Sequence, residues 1–135
     1  MRRANKLATV IPLLFTIAAP AFAEQIPALC GQESNQAAMT QCASEALKKA
    51  DAEMEKALQG LLEATDANSR AFVTEAQAAW SLYRDKECTA RIGGSPNRGG
   101  TIWPMLNLEC RAGLATLRTK DLKEQAACPG GRLDC

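Results

Sequence analysis

Six cysteines carry the widest chemical repertoire in this 135-residue chain: Cys30, Cys42, Cys88, Cys110, Cys128 and Cys135. Thiolates can bind soft metals, attack as nucleophiles or couple into disulfides. No two of these cysteines form a Cys-x-x-Cys pair and the chain has no histidine. The usual ligand sets for zinc are therefore missing, and so is any imidazole base. An even cysteine count in a small chain reads as a disulfide set. Sequence proximity favours Cys30–Cys42, Cys88–Cys110 and Cys128–Cys135.

Paired carboxylates are the other chemistry to weigh, since two of them suitably spaced can hydrolyse glycosides. Asp51 and Glu87 are the candidates. Glu87 is the odd one: its helical phase points it near an apolar stripe, where a carboxylate is costly unless paired. Lys86 or Arg91 stands close enough to pair it. With no histidine, no phosphate-binding glycine loop and no nucleophile motif, the reading is a protein with no catalytic residue, no cofactor and no metal.

The densest mixture of polar and aromatic residues is QAAWSLYRDKEC, residues 77–88. Each residue of a helix advances about 100°. On that basis Phe72, Ala76, Trp80 and Tyr83 form one stripe, widened by Val73 and Ala79, and this is the expected buried face. Gln77, Arg84 and Cys88 then fall along one edge of it. Asp51 takes the matching edge of the preceding helix, and Arg118 that of the following one. The expected role is a structural clamp of Asp51, Gln77, Trp80, Tyr83, Arg84 and Arg118, in which Arg84 or Arg118 pairs with Asp51 and sets helix register.

Three helices must position these groups, and no strand pattern occurs. The first runs from about Ser34 or Gln36 to Ala64, with Met39, Ala43, Leu47, Ala50, Met54, Leu58 and Leu61 recurring at steps of three and four. Ser34 or Asn35 is its N-cap. TDANS, residues 65–69, is a turn in which Asn68 or Ser69 caps the next helix. The second helix spans about residues 69–92 and stops at GGSPNRGG, residues 93–100, whose glycines and proline cannot extend it cheaply. The third starts near Thr101, a cap candidate, and tolerates Pro104 in its first turn. It turns Ile102, Leu106, Cys110, Leu114 and Leu117 inward and fades near Gln125. The expected fold is all-α: an antiparallel three-helix domain cross-linked by disulfides, with its core in residues 30–122 and a disulfide-tied tail in 123–135. A Cys88–Cys110 link would close the glycine loop and clamp two helices, a contribution of about 3 kcal/mol in the chain-entropy model.

The first 23 residues follow the pattern of a secretory signal peptide. Arg2, Arg3 and Lys6 precede an apolar run, and Ala21-Phe22-Ala23 offers a small-x-small cleavage site. The expected product is a single domain, residues 24–135, periplasmic or secreted and without a membrane anchor. The leader holds three of the 16 basic residues and none of the 15 acidic ones, leaving 13 against 15. That near-neutral balance argues against nucleic acid or an anionic membrane as partner. Scarce aromatics argue against a stacking platform for bases.

Four segments carry a family resemblance: CASEALKKADAEMEKAL (42–58), AQAAWSLYRDKEC (76–88), GGTIWPMLNLEC (99–110) and LRTKDL (117–122). In order and spacing they are similar to the LprI-type lysozyme inhibitor domain, and the likeness covers nearly all of residues 30–122. The middle motif, Gln-x-x-Trp-x-x-Tyr/Phe-Arg-Asp-x-x-Cys, is its specific part. Glu55 stands where the family usually has Asn, and Leu58 where Tyr is common. The resemblance implies a small exported helical protein with a protein partner, a lysozyme whose action on peptidoglycan it blocks. It identifies no contact residues. Loops held by rigid scaffolds often carry function, and Trp and Arg are favoured anchors. The glycine loop 93–100 with its flanks, Arg98 and Trp103, is accordingly the candidate partner-binding surface; the competing reading is that Trp103 caps the core and the loop merely connects. The other reading is a periplasmic interaction or envelope-maintenance module whose partner is not a lysozyme.

Overall fold

The computed structural model describes residues 30–94 and 100–128. Nearly all of them lie in three helices: α1, Gln36–Ala64; α2, Arg70–Arg91; and α3, Trp103–Ala126, entered through a 3-10 turn at Gly100–Ile102. No strand occurs among the described residues. The all-α, disulfide-linked architecture read from the sequence is the one observed. Consecutive helices run antiparallel, so α1 and α3 run parallel. Ala43 and Met105, near the starts of α1 and α3, share one cluster, while Leu61 and Leu122, near their ends, share another. Most of the interhelical packing lies between these two helices, with α2 laid against the pair.

The apolar spacing of α1 leaves it only one way to face. Its Asn35 cap accepts the Ala38 N–H at 3.0 Å, satisfying one of the orphan donors of the first turn. Ala43, Leu47, Ala50, Met54, Leu58 and Leu61 are buried as their spacing predicts, and Ala57 joins them. Across from them α3 sets Ala112, Ala115 and Leu122. The small alanines let the two helix axes approach, and each larger buried side chain contributes about 1.5–3 kcal/mol. At its far end α1 is closed from outside: Thr65 Oγ1 donates to the Leu61 carbonyl at 2.7 Å, and Arg70 Nε donates to the Leu62 and Thr65 carbonyls at 2.9 and 3.0 Å. A cation there also suits the negative end of the helix dipole.

The capping of the other two helices departs from expectation. Ser69 occupies the N-cap of α2, but its side chain does not cap the helix. Asp66 does the work instead, its Oδ1 accepting the N–H groups of Asn68 and Ser69 at 2.9 and 3.2 Å. Thr101 lies inside the 3-10 turn, and Ile102 holds the N-cap position of α3 with no side-chain cap. Pro104 sits in the first turn of α3, where its missing N–H costs nothing.

α2 is the element whose orientation the apolar pattern misjudged. Phe72 is 70% exposed and Tyr83 50%; Ala76 and Ala79 are exposed as well, and Val73 and Trp80 are half-buried. The buried residues are Gln77, Arg84 and Cys88, the polar edge of the expected stripe. Covalent and charged links to α1 and α3 leave from that edge, and turning the aromatic stripe inward would carry Cys88 and Arg84 away from their partners. α3 is also corrected. Cys110 and Leu114 are buried, but Ile102, Leu106 and Leu117 are exposed, while Met105, Ala112, Ala115 and Leu122 are buried. Having a neighbour on each side, α3 buries two faces rather than one stripe: Ala112, Ala115 and Leu122 against α1, and Cys110 and Leu114 against Cys88 and Trp80 of α2.

Cys30–Cys42 and Cys88–Cys110 are formed. The remaining expected pair, Cys128–Cys135, includes a residue outside the described ones, as do the leader, residues 1–23, and the tail beyond residue 128.

Candidate functional site

Where α2 meets the α1–α3 pair, the contact is largely polar. Arg84, buried to 7% exposure, points Nη1 at Asp51 Oδ1 of α1, 2.6 Å away. The next residue, Asp85, points the other way, its Oδ1 lying 3.2 Å from Arg111 Nε of α3. The adjacent Arg-Asp dipeptide thus grips both neighbouring helices with opposite charges. Two turns earlier, Gln77 Oε1 accepts from Arg118 Nε of α3 at 3.0 Å, and its Nε2 lies 3.6 Å from Met54 Sδ of α1. Beyond Arg84, Cys88 is bonded to Cys110 of α3. Gln77, Arg84 and Cys88 repeat at seven and four residues, so all three leave the helix on nearly one bearing.

Trp80 lies among these groups. It packs against the α1–α3 core and against the Cys88–Cys110–Leu114 cluster. The guanidinium carbons of Arg84 and Arg118 lie 5.2 and 5.9 Å from its ring centroid, both within cation–π range. Burial pushes the Arg118 pKa down, partly opposed by Asp121. The indole face and the Gln77 oxygen are what Arg118 receives in place of water.

Glu87, the odd carboxylate of the sequence, accepts from Arg91 Nε at 2.7 Å. This hydrogen bond raises the Arg91 pKa against a smaller opposing effect of burial. Each of the two candidate carboxylates, Asp51 and Glu87, is thus held by a guanidinium. A shallow groove of about 530 Å³ lies away from both, beside Glu53, Lys56, Gly60 and Lys123. Among the described residues no group of cysteine, aspartate and glutamate side chains is placed to hold a metal ion, and no helix is long and apolar enough to cross a membrane.

At the loop end of the molecule, Gly93 and Gly94 leave α2 with φ of 82° and 119°, conformations open to glycine and strained for other residues. Trp103, the first residue of α3, donates its indole N–H to the Gly94 carbonyl at 2.7 Å. The loop is thereby pinned twice, by this hydrogen bond and by the Cys88–Cys110 bond behind it. Trp103 is half-buried at the rim; Arg98 lies outside the described residues.

Five of the six expected clamp residues, Asp51, Gln77, Trp80, Arg84 and Arg118, come together, whereas Tyr83 sits on the outer side of α2. Three participants were missed from the sequence: Asp85, Arg111 and Glu109. Arg111 directly follows Cys110, and Asp85 precedes Cys88 by three residues, so the disulfide itself was the signal that could have found them. Glu109 is buried and its Oε1 accepts the Cys30 N–H at 3.3 Å. It ties the start of the described chain to α3 while the Cys30–Cys42 bond ties it to α1.

Residues 30–122 match the family model described as lysozyme inhibitor LprI. An uncharacterised protein of Rhizobium meliloti (strain 1021) is 34% identical over 130 residues, covering 87% of this chain and 92% of that relative. No solved structure matches the chain.

Proposed function

The chain belongs to the LprI lysozyme inhibitor family, and from that premise we propose that it binds a lysozyme outside the cytoplasm and blocks its attack on peptidoglycan. The observation that carries this reading is the family match over residues 30–122, a span that takes in α1, α2 and most of α3 together with the Cys30–Cys42 and Cys88–Cys110 disulfides. A rigid body is what a stoichiometric inhibitor needs, because a surface already in its bound shape loses little entropy on docking. The cysteines fit an oxidising compartment, and the leader pattern of residues 1–23 fits export to it.

We assign the inhibitory surface to the α2–α3 loop, with Arg98 and Trp103 as its anchors. The support is mechanical: a disulfide and the Trp103–Gly94 hydrogen bond hold the two ends of the loop together, and segments presented by a rigid scaffold often carry binding residues. The engagement of Asp51 and Glu87 by Arg84 and Arg91 supports a body that binds rather than catalyses.

The test is lysis of a peptidoglycan suspension by a c-type lysozyme in the presence of the purified oxidised protein. Dose-dependent slowing is expected, diminished by Arg98→Ala or Trp103→Ala and lost after reduction and alkylation. Unchanged lysis, with another envelope protein recovered on the immobilised chain, would replace the lysozyme by a different partner.

A further inference from the structure

The outer side of α2 carries a pattern that the clamp does not use. Phe72, Ala76, Ala79 and Tyr83 follow one another at steps of four, three and four, the spacing of a coiled-coil seam, and all four are exposed. Leu82, 63% exposed, flanks them. Glu75 is the one charged residue between Phe72 and Tyr83 in the sequence, and by helical phase it falls to the side of the row. The row also reads the same in both directions: aromatic, alanine, alanine, aromatic.

That symmetry selects the occupant. An isologous interface brings one patch against itself, so the patch must be self-complementary. A two-fold axis crossing α2 between Gln77 and Ala78 sets Phe72 of one copy against Tyr83 of the other, and Ala76 against Ala79, each twice. The alanines at the axis let two helices approach closely, and the aromatic pairs close over them at either end. An unrelated partner gives no reason for the palindrome. We propose that this face of α2 pairs antiparallel with the same face of a second copy, forming a dimer through Phe72, Ala76, Ala79 and Tyr83.

The area limits its strength. The exposed parts of Phe72, Leu82, Tyr83 and the two alanines amount to roughly 400 Å² per copy, or about 800 Å² for the pair. That falls short of the ~1,200 Å² of a stable dimer, so association is weak and concentration-dependent. The arrangement leaves the C-terminal ends of the two α2 helices at opposite ends, roughly 40 Å apart along the paired helices.

Sedimentation equilibrium of the oxidised protein tests it. The unaltered protein should pass from monomer to dimer as concentration rises toward ~1 mM, and Phe72→Glu or Tyr83→Lys alone should each weaken association about tenfold or more. Both side chains are exposed, so helicity should be unchanged by circular dichroism. The decisive sample is an equimolar mixture of the two single variants. In antiparallel pairing the introduced carboxylate of one copy faces the introduced ammonium of the other, while the native Tyr83 and Phe72 meet at the other end, so association recovers. A protein still monomeric at ~1 mM, a dimer indifferent to Phe72→Glu, or a mixture that fails to recover would each overturn the proposal.

Discussion

Arg84 and Asp51, 33 residues apart in sequence, meet at 2.6 Å, and the pair joins two helices that share little apolar contact. The two partners are unequally buried, with side-chain exposures of 9% for Arg84 and 39% for Asp51. Removing the acid strands a buried cation, while removing the arginine leaves a carboxylate that water can reach. Arg84→Ala also loses the contact with Trp80. The expected losses are about 2–3 kcal/mol for Arg84→Ala and about 1–2 kcal/mol for Asp51→Ala, with a coupling of about 1 kcal/mol in the double-mutant cycle. Urea unfolding of the four proteins measures all three quantities, and zero coupling would show the pair to be incidental.

Gln77 offers a cleaner test of the polar interface, because no charge is removed. Gln77→Leu keeps the volume and leaves Arg118 Nε without its acceptor at 3.0 Å. Arg118 is half-buried, and a donor left without its partner there costs about 1 kcal/mol, so the more hydrophobic variant should be the less stable one. A rise in melting temperature would mean that Arg118 finds water or another acceptor.

The aromatic residues of α2, which the sequence places on one stripe, should differ sharply in their effect on stability. Trp80, inserted between the core clusters and two guanidinium groups, should lose about 3 kcal/mol on replacement by Ala. Phe72, 70% exposed, should change stability by no more than about 0.5 kcal/mol in dilute solution. Chemical denaturation at micromolar concentration separates the two.

Loss of the Cys88–Cys110 bond should loosen α2 first. The chain-entropy contribution for a loop with a sequence separation of 22 is about 3 kcal/mol, and a largely polar interface, with Trp80 and Val73 as its apolar contacts, then holds the helix. In the double variant Cys88→Ala/Cys110→Ala, amide exchange should speed up through α2 and the adjoining loop while the α1–α3 pair stays protected. Uniform acceleration through all three helices would contradict the picture of α2 as a separately latched element.

Acid should act on the α1–α2 turn. A hydrogen bond with Ser69, followed by the Ser69 and Asn68 backbone donors, holds the Asp66 carboxyl below its ordinary value of 3.8. A folded-state pKa below the unfolded one stabilises the fold above the unfolded value, and that contribution is lost as pH falls through the folded value. Stability should therefore drop below about pH 4, and Asp66→Asn should flatten that part of the profile. Melting temperature recorded between about pH 2 and 5 follows the effect; identical profiles would assign the acid sensitivity to another carboxylate.

The sequence by itself determined the three helices and their ends to within a residue or two, the inward face of α1, and the groups Asp51, Gln77, Trp80, Arg84 and Arg118 that meet at the clamp. These are local matters. Apolar residues at steps of three and four leave α1 a single buried side, and glycines with positive φ stop α2 wherever it is placed. Only the tertiary structure decided which way α2 and α3 turn. Burying Phe72 and Tyr83 would favour one rotation of α2 by about 1.5–3 kcal/mol for each fully buried ring. The Cys88–Cys110 bond permits only the other, and Arg84, Asp85 and Gln77 find their partners at the same setting. A covalent link has one bearing, whereas hydrophobic burial is indifferent to direction, so the bond and its polar neighbours set the rotation and left the aromatic side of α2 facing out.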